Sequence, residues 1–293
     1  MLRLTTTILA LILTFSHAFA DELDKITIAG WSKPISEITN ILAEPDKGFF
    51  KAEKIELGYI SGTGGGSALT NMLSGAADVA FTDPSSLYQA LSRGEDLVAI
   101  YNIYPQNVFN VVVPVGRGIT TTADLKGKTI GVYSLNSGTR QNLLFLLHKA
   151  GLNESDVNIQ VTGLLNFAPV IQGQVDATAA TDTGLYVGKL KGLGDVTVIN
   201  VADSLNVPSD LFVVTRGYYK ENKSVLRRFL KAYRNSAQWM IDNPEDAAKI
   251  AVTRAINGRD EKVNLEIIKL RNISAQSETT RSKAVSYTHL RAH

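Results

Sequence analysis

Gly75-Ala76-Ala77-Asp78-Val79-Ala80-Phe81-Thr82-Asp83 recurs later in the chain as Gly173-Gln174-Val175-Asp176-Ala177-Thr178-Ala179-Ala180-Thr181-Asp182. Each copy reads as a helix stop, a turn carrying Asp, a short buried strand, and a Thr-Asp pair at the strand's C-terminal end that opens another helix. A β–α joint written twice predicts two similar lobes.

Around both copies strand-like and helix-like runs alternate, which predicts an α/β architecture with mainly parallel sheets. Ile26-Thr27-Ile28-Ala29 reads as a strand, and residues 35–50 carry Ile35, Ile38 and Leu42 at helical spacing with Gly48 as a stop. Ile55-Glu56-Leu57-Gly58-Tyr59 reads as a second strand. Two glycine- and hydroxyl-rich turns follow strand-like runs, Gly62-Thr63-Gly64-Gly65-Gly66-Ser67 and Ser134-Leu135-Asn136-Ser137-Gly138-Thr139, and each opens an amphipathic helix, with Ser67 in the expected N-cap position. A helix start leaves N–H groups unpaired and a partial positive charge, so each turn is a cradle for an anionic or carbonyl-bearing ligand. Two cradles predict one ligand held between two lobes.

The apolar runs 108–115, broken by Pro114, and 211–214, preceded by Pro208, are expected to be strands that cross between the lobes. The expected organisation is then a signal peptide at 1–20, the first part of lobe 1 at 21–111, lobe 2 at 112–207 and the rest of lobe 1 at 208–284. Two crossings give a hinge about which the lobes close on a ligand. The signal reading rests on Arg3, the short apolar stretch 8–15 and the small-x-small site Ala18-Phe19-Ala20 before Asp21. Residues 285–293, Val285-Ser286-Tyr287-Thr288-His289-Leu290-Arg291-Ala292-His293, resemble a translated sequencing-adapter scar, which implies a truncated native C-terminus.

Charge and composition exclude several classes. Setting aside Arg3 and Arg291 lowers the 30 Lys and Arg to 28 against 28 Asp and Glu, so residues 21–284 are formally neutral. Neither nucleic acid nor an anionic membrane surface is an expected partner. The chain has no cysteine, which removes disulfides, thiolate metal sites, a cysteine nucleophile and a lipid-modified N-terminal cysteine. An exported protein without that anchor is expected in the Gram-negative periplasm. Outside the signal and the tail the only histidine is His148, on an apolar helical stretch, so zinc sites and Ser–His chemistry lack their ingredients. No cofactor or metal is expected, and the Gly62 turn lacks both the Gly-Lys-Ser/Thr ending of a phosphate loop and the dinucleotide glycine pattern. A binder is expected rather than an enzyme, although carboxylate acid/base work stays open.

The chain resembles a known family in Gly48-Phe49-Phe50, the turn at Gly62 to Ser67, Gly75-Ala76-Ala77-Asp78-Val79-Ala80, Asp124-Leu125-Lys126-Gly127-Lys128-Thr129-Ile130-Gly131-Val132 and Gly173-Gln174-Val175-Asp176-Ala177. In order and spacing these are similar to the nitrate/sulfonate/taurine group of periplasmic solute-binding proteins, over residues 26–256 or so. The resemblance implies a type II two-lobed periplasmic-binding-protein fold, monomeric, that delivers a small solute to the inner-membrane permease of an ABC importer. The charged helical face of residues 218–234, with Arg227, Arg228, Lys231 and Arg234, is a candidate permease contact or plain solvated surface. A pyrimidine-synthase-like enzyme and a periplasmic sensor are the alternatives on the same fold, the former lacking here its expected cysteine-rich iron-binding stretch.

Ligands of open α/β sheets collect at the C-terminal ends of strands. The expected contacts are Trp31, Thr63, Gly65, Gly66, Ser67, Thr82 and Asp83 from lobe 1, and Ser137, Gly138, Thr139, Thr181 and Asp182 from lobe 2. Helix N-capping is the competing role for both aspartates. The donor-rich turns suit a sulfonate, carboxylate or nitrate, whereas the aspartates suit an ammonium or an amino-substituted ring. A zwitterion satisfies both, as does an aminopyrimidine stacked on Trp31, the solute type of the thiamine-precursor branch of that family.

Overall fold

A computed structural model describes residues 23–165 and 167–276; the expected signal peptide and adapter tail lie outside the described residues. The strands, in chain order, are β1 (Asp24–Ala29), β2 (Ile55–Ile60), β3 (Val79–Thr82), β4 (Leu97–Tyr104), β5 (Phe109–Pro114), β6 (Thr129–Val132), β7 (Asn158–Val161), β8 (Ala177–Thr181), β9 (Val196–Asn200) and β10 (Asp210–Thr215). They form two five-stranded sheets, ordered β2-β1-β3-β10-β4 and β7-β6-β8-β5-β9. β2, β1 and β3 pair in parallel, as do β7, β6 and β8. β10 runs antiparallel to β3 and β4, and β5 antiparallel to β8 and β9. Four strands of each sheet therefore run one way and one is reversed. In both cases the reversed strand is the first that the chain lays down after arriving from the other lobe.

The expectation of strands that cross between lobes is corrected by this pairing. β5 lies wholly in the second sheet and β10 wholly in the first, so the crossings are the loops 105–108 and 201–209. A boundary at residue 112 would cut β5, whose ladder with β8 starts at Phe109. The apolar runs exist because both faces of these strands are covered. Phe212 and Val214 enter one core cluster and Leu211 and Val213 the other, and Val111 and Val113 oppose Val112 in the same way.

The repeated joint does the same job twice. Asp78 accepts the Thr27 N–H at 2.8 Å, and Asp176 accepts the Thr129 N–H at 2.8 Å, each carboxylate tying its turn to the first parallel strand of its own sheet. Five residues beyond each tether comes a helix N-cap: Asp83 for α4 (Pro84–Ser92) and Thr181 for α7 (Asp182–Leu190). The two Thr-Asp pairs are thus offset by one, with Asp83 equivalent to Thr181 and Asp182 already inside its helix.

The remaining helices are α1 (Thr39–Leu42), α2 (Glu44–Lys47), α3 (Gly65–Leu73), α5 (Gly138–Lys149), α6 (Ala168–Ile171), α8 (Arg216–Glu221), α9 (Lys223–Asp242), α10 (Pro244–Arg254) and α11 (Glu261–Ser274). The helix expected over 35–50 is broken into a 3-10 turn, α1 and α2, because Pro45 has no N–H to continue the ladder; Gly48 ends it in the left-handed region at φ 67°. Leu226, Phe229 and Tyr233 of α9 pack on Phe212 beneath the first sheet. Met240, Ala247, Ala248, Ala251 and Ile268 then bind α9, α10 and α11 into one cluster at the end of lobe 1.

Candidate functional site

The two lobes touch on both sides of a cavity of about 220 Å³. On one side the glycine turns meet directly: the Gly66 N–H donates to the Asn136 carbonyl at 3.2 Å, and the Ser134 hydroxyl donates to the Thr63 carbonyl. Gly64 makes the approach possible, since it holds φ 124° and a Cβ there would lie 2.3 Å from the Asn136 oxygen. On the other side the Thr183 hydroxyl donates to Glu37 at 2.7 Å, while Arg271 of α11 pairs with Glu37 at 3.5 Å and with Asp182. Trp31 and Tyr133, one from each lobe and both on the cavity lining, meet edge to face at 6.5 Å.

Seven of the twelve expected residues line the cavity: Trp31, Gly65, Asp83, Ser137, Gly138, Thr139 and Thr181. The other five serve the surrounding structure. Thr63 and Gly66 form the lobe contact. Ser67 is not the N-cap, a place Gly64 takes; it stands in the first turn of α3, where its hydroxyl accepts the Thr63 N–H at 3.2 Å. Thr82 is buried behind the turn and donates to the Gly65 carbonyl at 2.9 Å, and Asp182 faces Arg271 and Ser274 rather than the cavity. His148 sits exposed in the last turn of α5, away from the lining.

The hydroxyls of the second turn are already engaged. Ser137 Oγ donates to the Ser134 carbonyl at 2.6 Å, accepts from the Arg140 N–H that it caps, and lies 2.7 Å from Thr139 Oγ1, which in turn accepts the Tyr133 N–H. What α5 offers the cavity is its backbone opening at Gly138 and Thr139, where Gly138 is required because a Cβ would meet Phe109 at 2.6 Å.

Carboxyls dominate the polar wall, and most of them have internal partners. Asp83 is fully engaged, accepting the Ser86 N–H at 2.9 Å and the Ser86 hydroxyl at 2.7 Å. Burial pushes its pKa up from the ordinary carboxylate value, against the pull of those hydrogen bonds. Glu37 is held by Thr183 and Arg271. Asp210 is 8 % exposed, lines the cavity, and receives no hydrogen bond from the described residues. Burial first, then the charges of Asp83 and Glu37, drives its carboxyl well above the usual range. Arg271, 1 % exposed, stacks over the Tyr104 ring at 5.2 Å. Trp31 Nε1 is buried with no hydrogen-bond partner among the described residues. Phe109, Tyr133, Leu164 and Phe167 supply apolar wall. Among the described residues no group of three or more His, Asp and Glu is placed to hold a metal ion.

Glu37, Asp210 and Arg271 escape the sequence reading. Asp210 begins its strand, and because β10 is reversed, its first residue shares a sheet edge with the C-terminal ends of the others, paired in register with Tyr104 at the end of β4. The Pro208-Ser209-Asp210 step into an apolar run was the available signal. Arg271 follows Asn264, Ile267 and Ile268 on the buried face of α11, a spacing that marks a helix face but not an ion pair.

Residues 35–247 match the family model described as "NMT1/THI5 like". The riboflavin-binding protein RibY of Chloroflexus aurantiacus is 24 % identical over 234 residues, covering 78 % of this chain and 66 % of that protein. The formylaminopyrimidine-binding protein of Halalkalibacterium halodurans is 24 % identical over 212 residues, covering 71 % of this chain and 64 % of that protein. The chain thus spans just under two thirds of the length of these two relatives. The alkanesulfonate-binding protein SsuA of Xanthomonas axonopodis pv. citri, solved bound to MOPS, superposes with a TM-score of 0.69 at 20 % identity over 85 % of this chain and 84 % of that one. Two mixed sheets, two crossing loops and a shared interlobe cavity are the periplasmic-binding-protein fold, and with its match over residues 35–247 the chain belongs to the NMT1/THI5-like family.

Proposed function

We propose that the protein captures a small solute between its two lobes in the periplasm and presents it to the permease of an ABC importer. The observation that carries this reading is the cavity itself, which takes wall from both lobes and is flanked on either side by lobe-to-lobe hydrogen bonds. Closure of the lobes around a solute is the change such contacts make possible, and the exposed outer faces of the two lobes are then what a permease would read.

The polar wall favours a flat, amino-substituted ring over a sulfonate or nitrate. Three carboxyls, Glu37, Asp83 and Asp210, stand in the lining against two cations, the Arg271 guanidinium, which is ion-paired with Glu37 and Asp182, and the Lys191 ammonium, and Ser137 and Thr139 have no hydroxyl donor to spare for an anion. The volume of about 220 Å³ suits a single substituted ring between Trp31, Tyr133, Phe109 and Phe167. A zwitterion is the second reading, supported by the open start of α5 at Gly138 and by Lys191 on the lining.

A thermal-shift and calorimetric panel of aminopyrimidines, riboflavin, taurine, alkanesulfonates and nitrate tests the proposal, since solute at 100 times its Kd adds ~2.7 kcal/mol of stability. Saturable binding of an aminopyrimidine without turnover is expected. Chemical conversion of the bound compound would replace the import reading with an enzymatic one.

A further inference from the structure

Among the carboxyls that line the cavity, only one is without an internal partner. Asp83 gives both oxygens to Ser86, and Glu37 is shared between Thr183 and Arg271. Asp210 is more than nine-tenths buried, opens on the cavity, and takes no hydrogen bond from the described residues. Its oxygens are thus left to whatever fills the cavity, water or a ligand. Trp31 Nε1 is a second incomplete group on the same wall, a donor where Asp210 is chiefly an acceptor.

We infer that Asp210 is the specificity-determining residue of the cleft, and that it reads an amidine edge, a ring nitrogen adjacent to an amino group, through both of its carboxyl oxygens. The inference rests on the solute-capture reading above and names the edge that the solute must carry. One carboxyl oxygen accepts from the amino N–H. The other shares a single proton with the ring nitrogen, so the pair is satisfied whether that proton sits on the acid or on the ring, and no proton is gained or lost. A sulfonate, carboxylate or nitrate brings only acceptors to the same place: it can take the one proton of the acid but offers no donor to the other carboxyl oxygen.

The surroundings support a carboxyl that holds its proton in common with a ligand. Asp83 at the start of α4 and Glu37 in the turn after β1 are its acidic neighbours, while Tyr104 on β4 and Tyr233 on α9 are neutral phenols whose own acidity burial has suppressed. The Arg271 cation stacks over the Tyr104 ring and is engaged by Glu37 and Asp182. Among the described residues no cation pairs with Asp210, and its burial among acids favours the form that can donate as well as accept.

Calorimetry with 4-amino-5-hydroxymethyl-2-methylpyrimidine and with the same compound lacking its 4-amino group tests this on the unaltered protein. The amino compound is expected to bind on the order of 30-fold or more tightly than its deamino counterpart. Asp210→Ala is expected to remove that preference, whereas Asp210→Asn, whose amide presents one donor and one acceptor to the same edge, keeps affinity to within about threefold. Equal binding of the two compounds by the unaltered protein overturns the inference whether or not the variants fold, as does an Asp210→Ala variant that retains the preference. Riboflavin, taurine, an alkanesulfonate or nitrate bound in place of both pyrimidines overturns it while leaving solute capture intact, and binding of none of the whole panel overturns both.

Discussion

The Thr183 hydroxyl donates to the Glu37 carboxylate at 2.7 Å, and the two residues belong to opposite lobes. Glu37 stands in the turn after β1, Thr183 in the first turn of α7, and Arg271 from α11 adds its charge to Glu37 and to the neighbouring Asp182. The last helix of the described residues therefore contributes to the contact between the lobes, because it supplies the cation that two carboxylates from different lobes share. The Gly66 to Asn136 bond closes the opposite side.

Thr183→Val removes the hydroxyl and keeps the shape. One interlobe hydrogen bond to a charged group is worth ~1.5–3 kcal/mol at most, and part of it is recovered by water in the open form. Affinity for the best solute is expected to fall about fivefold with the melting temperature nearly unchanged. Titration calorimetry beside a thermal melt separates the two effects, and undiminished affinity would remove Thr183 from the closing contact.

Gly64→Ala attacks the other contact. The substitution strains a backbone at φ 124° and drives a Cβ to 2.3 Å from the Asn136 oxygen, so the closed arrangement must give way first. A stability loss of ~1–3 kcal/mol is expected from the backbone alone. Scattering from the variant with saturating solute is expected to keep the larger radius of gyration of an open molecule; a compact liganded variant contradicts this.

The twice-written joint made two lobes legible, because Asp78 and Asp176 must each stand where a turn can reach the first parallel strand of its own sheet. The helix openings at Gly65 and Gly138 were legible as cavity wall for a similar reason: glycine is demanded where a backbone approaches a neighbour closely. The carboxyl chemistry was not. The rule that ligands gather at C-terminal strand ends misses Asp210, which begins a strand, since only the reversal of β10 brings it to that edge. Arg271 lies 234 positions from Glu37 along the chain, and nothing local to either residue records that they meet. The hydroxyls of Ser137 and Thr139, prominent in the sequence, proved to be engaged with each other and with the turn.

Ser137→Ala follows from that last point. Its hydroxyl caps α5 at the Arg140 N–H and ties the turn to the Ser134 carbonyl. The expected cost is ~1 kcal/mol of stability, typical of a lost N-cap, with solute affinity changed less than about twofold. A roughly tenfold loss of affinity at unchanged stability, about 1.4 kcal/mol, would instead restore the hydroxyl as an anion donor.

Asp83 and Asp210 set the direction of the pH dependence. Burial raises both carboxyls above their unfolded values, so in the window between the unfolded and folded values the native state binds more protons than the unfolded chain. Their contribution to stability is then full below the ordinary carboxylate range and is lost as pH rises through the folded values. Asp124 works in the opposite sense: four hydrogen bonds from Thr120 and Thr121 lower it to about 2, so the stability it lends is present above the ordinary value and lost only as pH falls toward 2. Lowering the pH from 7 to 5 leaves Asp124 ionised and favours the protonated forms of the buried pair, so the melting temperature of the solute-free protein is expected to rise. Asp210→Asn removes one of the two buried acids, and is expected to raise the melting temperature at pH 7 by about 3 °C and to flatten its rise on acidification. A melt series at pH 5, 6 and 7 on both proteins decides it, and a melting temperature that falls steadily from pH 7 to pH 5 would show that these carboxyls ionise at ordinary values.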